Sequence, residues 1–204
     1  MKRSRIVGTG SYVPSRVVDN QEVAAPLGLD PDQIVALTGI RTRYWVEQGQ
    51  ASSDLAVVAG QRACQAAGMT PQSVDAILVS TTSPDSAFPS TACHVQRALG
   101  ANPVMAFDLS ASCSGFLYGL SMANAMILSG QANTCLVVAA EVKSRFLDPT
   151  DAATAVTGNL VLKQAASLAV DRGIERAIHA LWEATPGLDR TQHVPAQNFF
   201  ACIR

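Results

Sequence analysis

The sequence predicts an α/β fold built on a mainly parallel sheet of five strands. Two continuous apolar runs, at residues 76–82 and 134–141, have the length and composition of strands that are buried on both faces of a sheet. Segments with helical periodicity separate the apolar runs, as expected when helices carry the chain from one parallel strand to the next. With 48% hydrophobic and 15% charged residues among 204, the chain can bury a sizeable core, and this composition argues against a disordered protein.

The amino-terminal part of the chain contains two short helices between two strands. A buried strand is expected over 6–10, where it ends in glycines, and a short helix begins at Asn20, whose side chain is the expected N-cap. A second helix has Pro31 at its first position and ends near Gly39. Residues 40–46 then alternate between apolar and polar side chains, which is typical of a half-exposed strand.

Helices and strands continue to alternate in the middle of the chain. The expected elements are a helix at 55–67 capped by residues 52–54 and closed by Gly68, a buried strand at 76–82, a helix capped by Ser90 or Thr91 and ending at Leu99, a buried strand at 104–107, a helix that reaches residue 128, and a strand at 134–141. A polar loop at 144–155 and a long helix from 160 to about 184 follow.

Charge and cysteine content narrow the classes of function. The formal net charge of −1 argues against a broad basic face for nucleic acid, and no apolar run reaches the roughly 18 residues of a membrane span. The five cysteines form no CxxC pair and no spacing typical of zinc sites. We therefore expect free thiols, a reducing cytoplasmic setting and no metal.

The stretch at 108–116 (DLSASCSGF) is the strongest candidate for chemistry. It places Cys113 in a sharp turn from a strand into a helix. At the amino end of a helix, unpaired N–H groups and the positive end of the helix dipole favour thiolate over thiol and can hold an oxyanion when the thiolate attacks a carbonyl. Gly115 would let the backbone approach closely. The pattern alone leaves open that Cys113 is a buried packing residue.

Six short motifs follow one another along the chain: IVGTGSYVP at 6–14, TGIR at 38–41, TTSP at 81–84, AFPS at 87–90, CSGF at 113–116 and EVKSRFLD at 141–148. In their order and spacing they resemble β-ketoacyl-acyl carrier protein synthase III, the initiating condensing enzyme of fatty-acid synthesis. The resemblance implies a thiolase-like layered fold. It also divides the chain into a first half at 1–156, which carries the nucleophile, and a remnant of the second half at 157–204.

The resemblance implies roles for particular residues. Cys113 is the catalytic residue that takes an acyl group from acyl-CoA, and its own backbone N–H lines the oxyanion hole. Arg41 matches the family's arginine that stacks on the CoA adenine, and Phe88 matches the residue that reaches across a homodimer to shape the partner's acyl pocket. Gln33 replaces the tryptophan that forms the other side of the adenine site. Acyl-CoA and malonyl-acyl carrier protein are the implied substrates, with no cofactor.

Beyond residue 156 the chain departs from the family pattern. A glycine-rich strand segment is absent, Ala196 stands where the catalytic histidine is expected, and the segment with the catalytic asparagine is missing. Those side chains donate hydrogen bonds to the malonyl thioester carbonyl during decarboxylation, and losing one such donor typically costs about 10²–10³ in rate. We therefore expect acyl loading on Cys113, impaired condensation, and a shortened second half that leaves apolar surface for dimerisation or aggregation.

Three functions remain open on the sequence alone. The first is a condensing enzyme of fatty-acid or polyketide-like synthesis, and the second is an impaired remnant that acts as a dimerising acyl-binding protein. The third is a cysteine hydrolase in which Cys113 works with His193, the possible substitute base. The carboxylates of Asp108 and Glu141 lie at the ends of predicted strands close to the expected cleft, where they are expected to hold loops or dimer contacts.

Overall fold

The computed structural model describes residues 4–146, residue 148 and the backbone of residues 200–203. These residues form two compact units, the first comprising 4–13, 49–141 and 200–203 and the second comprising 14–48 and the described residues from 142 to 148. The strands are β1 (Ile6–Gly10), β2 (Arg16–Asp19), β3 (Thr42–Trp45), β4 (Ala76–Ser80), β5 (Met105–Leu109), β6 (Cys135–Ala139) and β7 (Phe200–Ile203). The α-helices are α1 (Asn20–Ala24), α2 (Pro31–Thr38), α3 (Ser52–Ala66), α4 (Thr91–Leu99) and α5 (Gly115–Ser129).

A five-stranded, mainly parallel sheet forms the centre of the first unit, as the sequence predicts. The strand order is β1-β7-β6-β4-β5. Strand β4 runs parallel to β5 and β6, with Ala76 opposite Met105 on one side and Cys135 on the other. Strand β7 is antiparallel to both of its neighbours, β1 and β6. Strand β7 is not predictable from the sequence, because four residues without flanking turn signals show no usable periodicity.

The two central parallel strands are buried on both faces of the sheet. All five residues of β4 and of β6 are buried. On one face Ile77, Val79 and Leu136 pack with residues of α3 and α4, and on the other face Leu78 and Val137 pack with residues of α5. Helices thus cover both faces of the sheet, which confirms the α/β interpretation of the two continuous apolar runs.

The outer strands are less buried than the sequence analysis predicted. Ile6 in β1 is 42% exposed, and Met105 in β5 is 51% exposed. Within the described residues each of these strands ends the sheet and has a neighbouring strand on one side only. The expectation of buried strands at 6–10 and 104–107 is therefore wrong about burial, although a strand exists at each place.

Strand β1 lies in direct contact with the backbone of α3. A Cβ atom at Gly8 would lie 2.3 Å from the carbonyl oxygen of Ala63, and one at Gly10 would lie 2.3 Å from that of Ala59. Only residues without a side chain allow this approach, so the two glycines bring the helix onto the strand.

The start of α1 differs from the prediction. Its N-cap is Asp19, whose carboxylate accepts a hydrogen bond of 2.9 Å from the Glu22 N–H. Asn20 is buried instead, and its side chain donates to the Ile40 carbonyl and accepts from Arg43. Both Asp19 and Asn20 suit an N-cap, and the buried arginine decides which of them turns inward.

Helix α3 starts three residues earlier than predicted. The Asp54 carboxylate accepts a hydrogen bond of 2.7 Å from the Ala51 N–H, while Ser52 and Ser53 belong to the helix and use their hydroxyls on other segments. The predictions for α2 and α4 are confirmed, because α2 begins at Pro31 and Ser90 is the N-cap of α4.

The second unit contains a small antiparallel sheet and two helices. Strands β2 and β3 pair with Val17 opposite Tyr44. Val18, Val23 and Ile34 form a buried cluster with Ala24 beside this pair. The half-exposed strand predicted at 40–46 is therefore β3, and it belongs to this sheet rather than to the five-stranded one.

Several predictions fall outside the described residues. These are the loop beyond residue 148, the long helix at 160–184, the altered position Ala196 and the domain boundary between residues 156 and 157. Among the described helices, none combines the length and apolarity needed to cross a membrane.

Candidate active site

Cys113 lies in a tight turn between β5 and α5, as the sequence predicts. A 3-10 turn over Ser112–Ser114 follows β5 after two residues, and α5 begins immediately at Gly115. The Cys113 thiol is free and exposed. The alternative that Cys113 is a buried packing residue is therefore wrong.

The backbone before the thiol is held in an unusual conformation. Ser112 has a φ of 47°. Among the described residues it is the only one other than glycine that has a positive φ. A left-handed conformation at such a residue costs about 1–3 kcal/mol and is kept where the surrounding structure enforces it. Strained strand-to-helix turns present a nucleophile at the top of a sheet in α/β-hydrolases.

The close packing of α5 on the sheet enforces this turn. A Cβ atom at Gly115 would lie 1.9 Å from Oγ of Ser80 on β4, and one at Gly119 would lie 2.8 Å from Cγ1 of Val137 on β6. The first turns of α5 therefore rest directly on two strands. This contact fixes the position of the helix start that follows Cys113.

The carboxyl ends of three parallel strands bring further candidate residues to the same edge of the sheet. Cys113 follows β5, the segment with Phe88 follows β4, and Glu141 follows β6. Open parallel sheets usually bind their ligands at this edge. Phe88 is 89% exposed, so its ring is available for contacts outside its own unit.

Asp108 and Glu141 both hold loops, as expected from the sequence. Asp108 accepts hydrogen bonds from backbone N–H groups at the start of α4. Glu141 accepts hydrogen bonds from the Thr82 N–H and from the Ser83 hydroxyl. Asp85 is a further carboxylate at this edge that the sequence did not single out, and it accepts hydrogen bonds from Ser53. The two residues lie 32 positions apart, and no local pattern connects them.

Arg41 lies in the second unit, between α2 and β3, and its side chain is exposed. Both backbone polar groups of the preceding residue, Ile40, form hydrogen bonds with side chains. Its N–H donates to Oγ1 of Thr38 at 3.0 Å, and its carbonyl accepts from the Asn20 amide at 2.8 Å. Burial lowers the pKa of Arg43, the guanidinium that donates to Asn20, and nearby Asp19 and Glu22 oppose this effect.

The other described thiols differ from Cys113 in burial. Cys64 and Cys135 are buried, and Cys93 is half-buried. Burial raises the pKa of Cys135 to about 11, with a further contribution from Asp75. Cys64 and Cys135 pack in the two core clusters of the sheet, whereas Cys113 faces solvent.

His193, the possible substitute base, lies outside the described residues. His94 lies on α4, where its Nε2 is 3.5 Å from Oγ of Ser86. Within the described part of the chain, no group of three or more histidine, cysteine and carboxylate side chains is placed to hold a metal ion.

Residues 107–159 match the family model for 3-oxoacyl-[acyl-carrier-protein (ACP)] synthase III. The chain is 45% identical over 179 residues to the beta-ketoacyl-[acyl-carrier-protein] synthase III of Paramagnetospirillum magneticum, which covers 84% of this chain and 55% of that protein. It is 48% identical over 155 residues to the acetoacetyl CoA synthase NphT7 of Streptomyces sp. strain CL190, covering 76% and 46% of the two chains.

The fold is also shared with solved structures. The crystal structure of 3-oxoacyl-[acyl-carrier-protein] synthase III from Aquifex aeolicus superposes with a TM-score of 0.72 at 38% identity, over 75% of this chain and 49% of that one. The thiolase-like fold expected from the motifs is thereby confirmed. The chain spans about half the length of the curated relatives it matches. Over that span, sequence and fold agree, and the chain belongs to the β-ketoacyl-[acyl-carrier-protein] synthase III family.

Proposed function

We propose that this chain carries the acyl-accepting part of a condensing enzyme of fatty-acid or polyketide-like synthesis. One observation carries the proposal. The exposed Cys113 thiol lies in the turn between β5 and α5, inside the stretch that matches the synthase III family model. The relatives reported above are named as synthases, which favours this function over an acyl-binding remnant.

Acyl transfer is the first step of the proposed reaction. The Cys113 thiolate attacks the thioester carbonyl of acyl-CoA, a bond forms between Sγ and the carbonyl carbon, and the CoA thiolate leaves. The first hydrogen bond of the turn runs from the Ser114 N–H to the Ala111 carbonyl. The Cys113 N–H precedes this bond, and it is the donor proposed to stabilise the oxyanion. This step needs only groups at the start of α5.

Condensation is the second step. A malonyl thioester loses CO2, and the resulting carbanion attacks the acyl carbon on Cys113. A carbon–carbon bond forms, and the Cys113 thiolate leaves. Acyl carrier protein is the proposed carrier of the malonyl group, Arg41 the proposed contact for the CoA nucleotide, and Phe88 the proposed wall of an acyl pocket.

One relative favours a second candidate for the carrier. It is named for the synthesis of acetoacetyl CoA, and it is 48% identical to this chain over 155 residues. A CoA-linked malonyl group is therefore the alternative to the protein-linked one. Both candidates use the same acyl transfer to Cys113, so they differ only in the second substrate.

A homodimer is the proposed assembly. Strand β5 ends the sheet and has one neighbouring strand within the described residues, and Phe88, Met105 and Tyr118 in the first unit are each more than half exposed. An open strand edge beside apolar side chains favours pairing with a second chain. We also propose a reducing cytoplasmic setting, which is supported by the reduced state of Cys93, Cys113 and Cys135 among the described cysteines.

The function is tested by intact-mass spectrometry after mixing with a panel of short acyl-CoAs, with Cys113→Ala as the control. We expect one acyl adduct per chain that the control lacks. Malonyl-acyl carrier protein and malonyl-CoA are then added separately, and release of a β-keto product identifies the carrier. An adduct that hydrolyses steadily without a malonyl donor would instead support the cysteine hydrolase. A folded chain without any adduct would overturn the proposal.

A further inference from the structure

Phe88 lies in the segment between β4 and α4, and its ring is almost fully exposed. We name residues 82–91 the Phe88 segment. The Phe88 ring is 89% exposed, so packing around the ring does not fix its position. Three carboxylates instead hold the segment at its beginning, in its middle and at its end, and they come from Glu141, Asp85 and Asp108.

Glu141 holds the beginning of the Phe88 segment. Its Oε1 accepts hydrogen bonds from the Thr82 N–H and from the Thr82 hydroxyl, both at 2.8 Å, and its Oε2 accepts one from the Ser83 hydroxyl at 2.5 Å. Glu141 follows β6 by two residues, so it ties the segment to the neighbouring strand. The Ser83 carbonyl also accepts a hydrogen bond of 2.6 Å from the Ser52 hydroxyl.

Asp85 holds the middle of the segment. Its carboxylate accepts hydrogen bonds from the N–H of Ser53 at 2.9 Å and from the hydroxyl of the same residue at 2.5 Å. Ser53 lies in the first turn of α3, where N–H groups lack partners within the helix. The negative charge of Asp85 is therefore well placed at the positive end of that helix.

Asp108 holds the end of the segment and joins it to the nucleophile. Its two carboxylate oxygens accept hydrogen bonds of 2.8 Å from the N–H groups of Thr91 and Ala92 at the start of α4. Asp108 itself lies on β5, five residues before Cys113. One carboxylate thus connects the strand that leads into the Cys113 turn with the helix that follows Phe88.

We propose that Asp85, Asp108 and Glu141 are positioning residues that hold the Phe88 segment and thereby set which acyl-chain lengths Cys113 accepts. The inference rests on the proposed function, in which Phe88 forms a wall of the acyl pocket. Hydrogen bonds between carboxylates and N–H groups are roughly twice as strong as neutral ones, so three such anchors restrict a short segment strongly. The ring position then follows from the anchors.

Asp108→Asn is the central test variant. An amide keeps the shape of the side chain but offers one acceptor oxygen, so one of the two α4 N–H groups loses its partner. Asp75→Asn is the matched control, because one oxygen of Asp75 accepts from the N–H groups of Asn133 and Thr134 at the opposite end of the strands. Rates of Cys113 acylation are measured for acyl-CoAs from two to eight carbons.

We expect Asp108→Asn to change the ratio of long-chain to short-chain acylation by about tenfold, since a lost charged hydrogen bond has an effect of this size. Asp75→Asn leaves the ratio unchanged. In a Phe88→Ala background, Asp108→Asn has no further effect on the ratio, because it acts through the ring. An unchanged ratio in the single variant, or an equal change with and without Phe88, would overturn the proposal.

Hydrogen exchange of peptides covering residues 82–92 gives a second readout that does not need acyl transfer. We expect Asp108→Asn to speed exchange in these peptides by about tenfold and Asp75→Asn to leave them unchanged. If Asp108→Asn fails to fold, Ser53→Ala removes one hydrogen bond to Asp85 and is measured in the same way. A wild-type chain that takes up no acyl group refutes the proposed function and the specificity role with it, whereas unchanged exchange refutes the anchoring alone.

Discussion

Oγ of Ser80 occupies the space that a Cβ atom at Gly115 would need, at a distance of 1.9 Å. Ser80 is the last residue of β4, and Gly115 is the first residue of α5, two positions after Cys113. The glycine therefore lets the helix begin in contact with the sheet. The position of the thiol depends on this contact, since the 3-10 turn over Ser112–Ser114 leads directly into the helix.

Gly115→Ala is expected to slow acylation of Cys113 and to destabilise the fold by about 1–3 kcal/mol, because the added methyl group forces Ser80 or α5 to move. Denaturant unfolding and the rate of acyl transfer measure the two effects. Ser80→Ala in the same chain removes Oγ and leaves Cβ of residue 80 at 3.0 Å, so the double variant should recover part of both losses. A single variant with wild-type stability and rate would contradict this account of the turn.

Gly8→Ala and Gly10→Ala are each expected to destabilise the protein more than Gly115→Ala does. Their new Cβ atoms meet backbone atoms of α3, at 2.3 Å from the carbonyl oxygens of Ala63 and Ala59, and backbone cannot rotate away as a serine side chain can. Equilibrium unfolding compares the variants with Gly130→Asn, where a Cβ meets nothing within 4 Å and asparagine tolerates the left-handed φ. Loss of stability in the control alone would refute the expected contact.

The turn at Cys113 was predictable from the sequence because its signals are local. An apolar strand, small residues and a helical pattern follow one another within 25 residues, and the structure places the thiol as predicted. The partners of the carboxylates were not predictable. Thr82 and Glu141 lie 59 positions apart, and only the parallel pairing of β4 with β6 brings them together.

Asn20 shows a second limit of sequence interpretation. Asp19 and Asn20 are adjacent and have similar capping preferences, so local rules cannot choose between them. The choice depends on Arg43, which is 23 positions away and is buried against the Asn20 side chain. Tertiary contacts thus decided the details that propensity left open.

The stability of the protein is expected to fall between about pH 9 and pH 11 through Cys135. Burial, with a smaller effect of Asp75, raises the pKa of this thiol from 9.0 to about 11. In this interval the folded state keeps the proton that the unfolded state has lost, so rising pH favours unfolding. The full shift corresponds to about 2–3 kcal/mol.

Urea unfolding at pH 8.5 and pH 10.5 tests this expectation by comparing wild type with Cys135→Ala. The variant lacks the thiol, so its stability should fall less between the two pH values, although it is less stable overall because of the lost sulfur. All other ionisable groups are the same in the two proteins, so their effects cancel in the difference. Equal losses of stability in the two proteins would show that Cys135 does not contribute.

Asn20→Ala is expected to reduce the free energy of unfolding by about 2–3 kcal/mol, because it removes one side chain with two buried roles. The Nη2 group of Arg43 donates to Asn20 Oδ1 at 2.6 Å, while Nε and Nη1 of the same guanidinium have no hydrogen-bond partner in the described part of the chain. The Asn20 amide also donates to the Ile40 carbonyl, next to Arg41. Chemical denaturation measures the loss, and adding Arg43→Met should recover part of it, since a buried cation that lacks its partner costs more than an apolar side chain of similar length. If the double variant is no more stable than Asn20→Ala, the loss of stability in the single variant does not come from the Arg43 guanidinium. It then comes from the lost hydrogen bond to the Ile40 carbonyl.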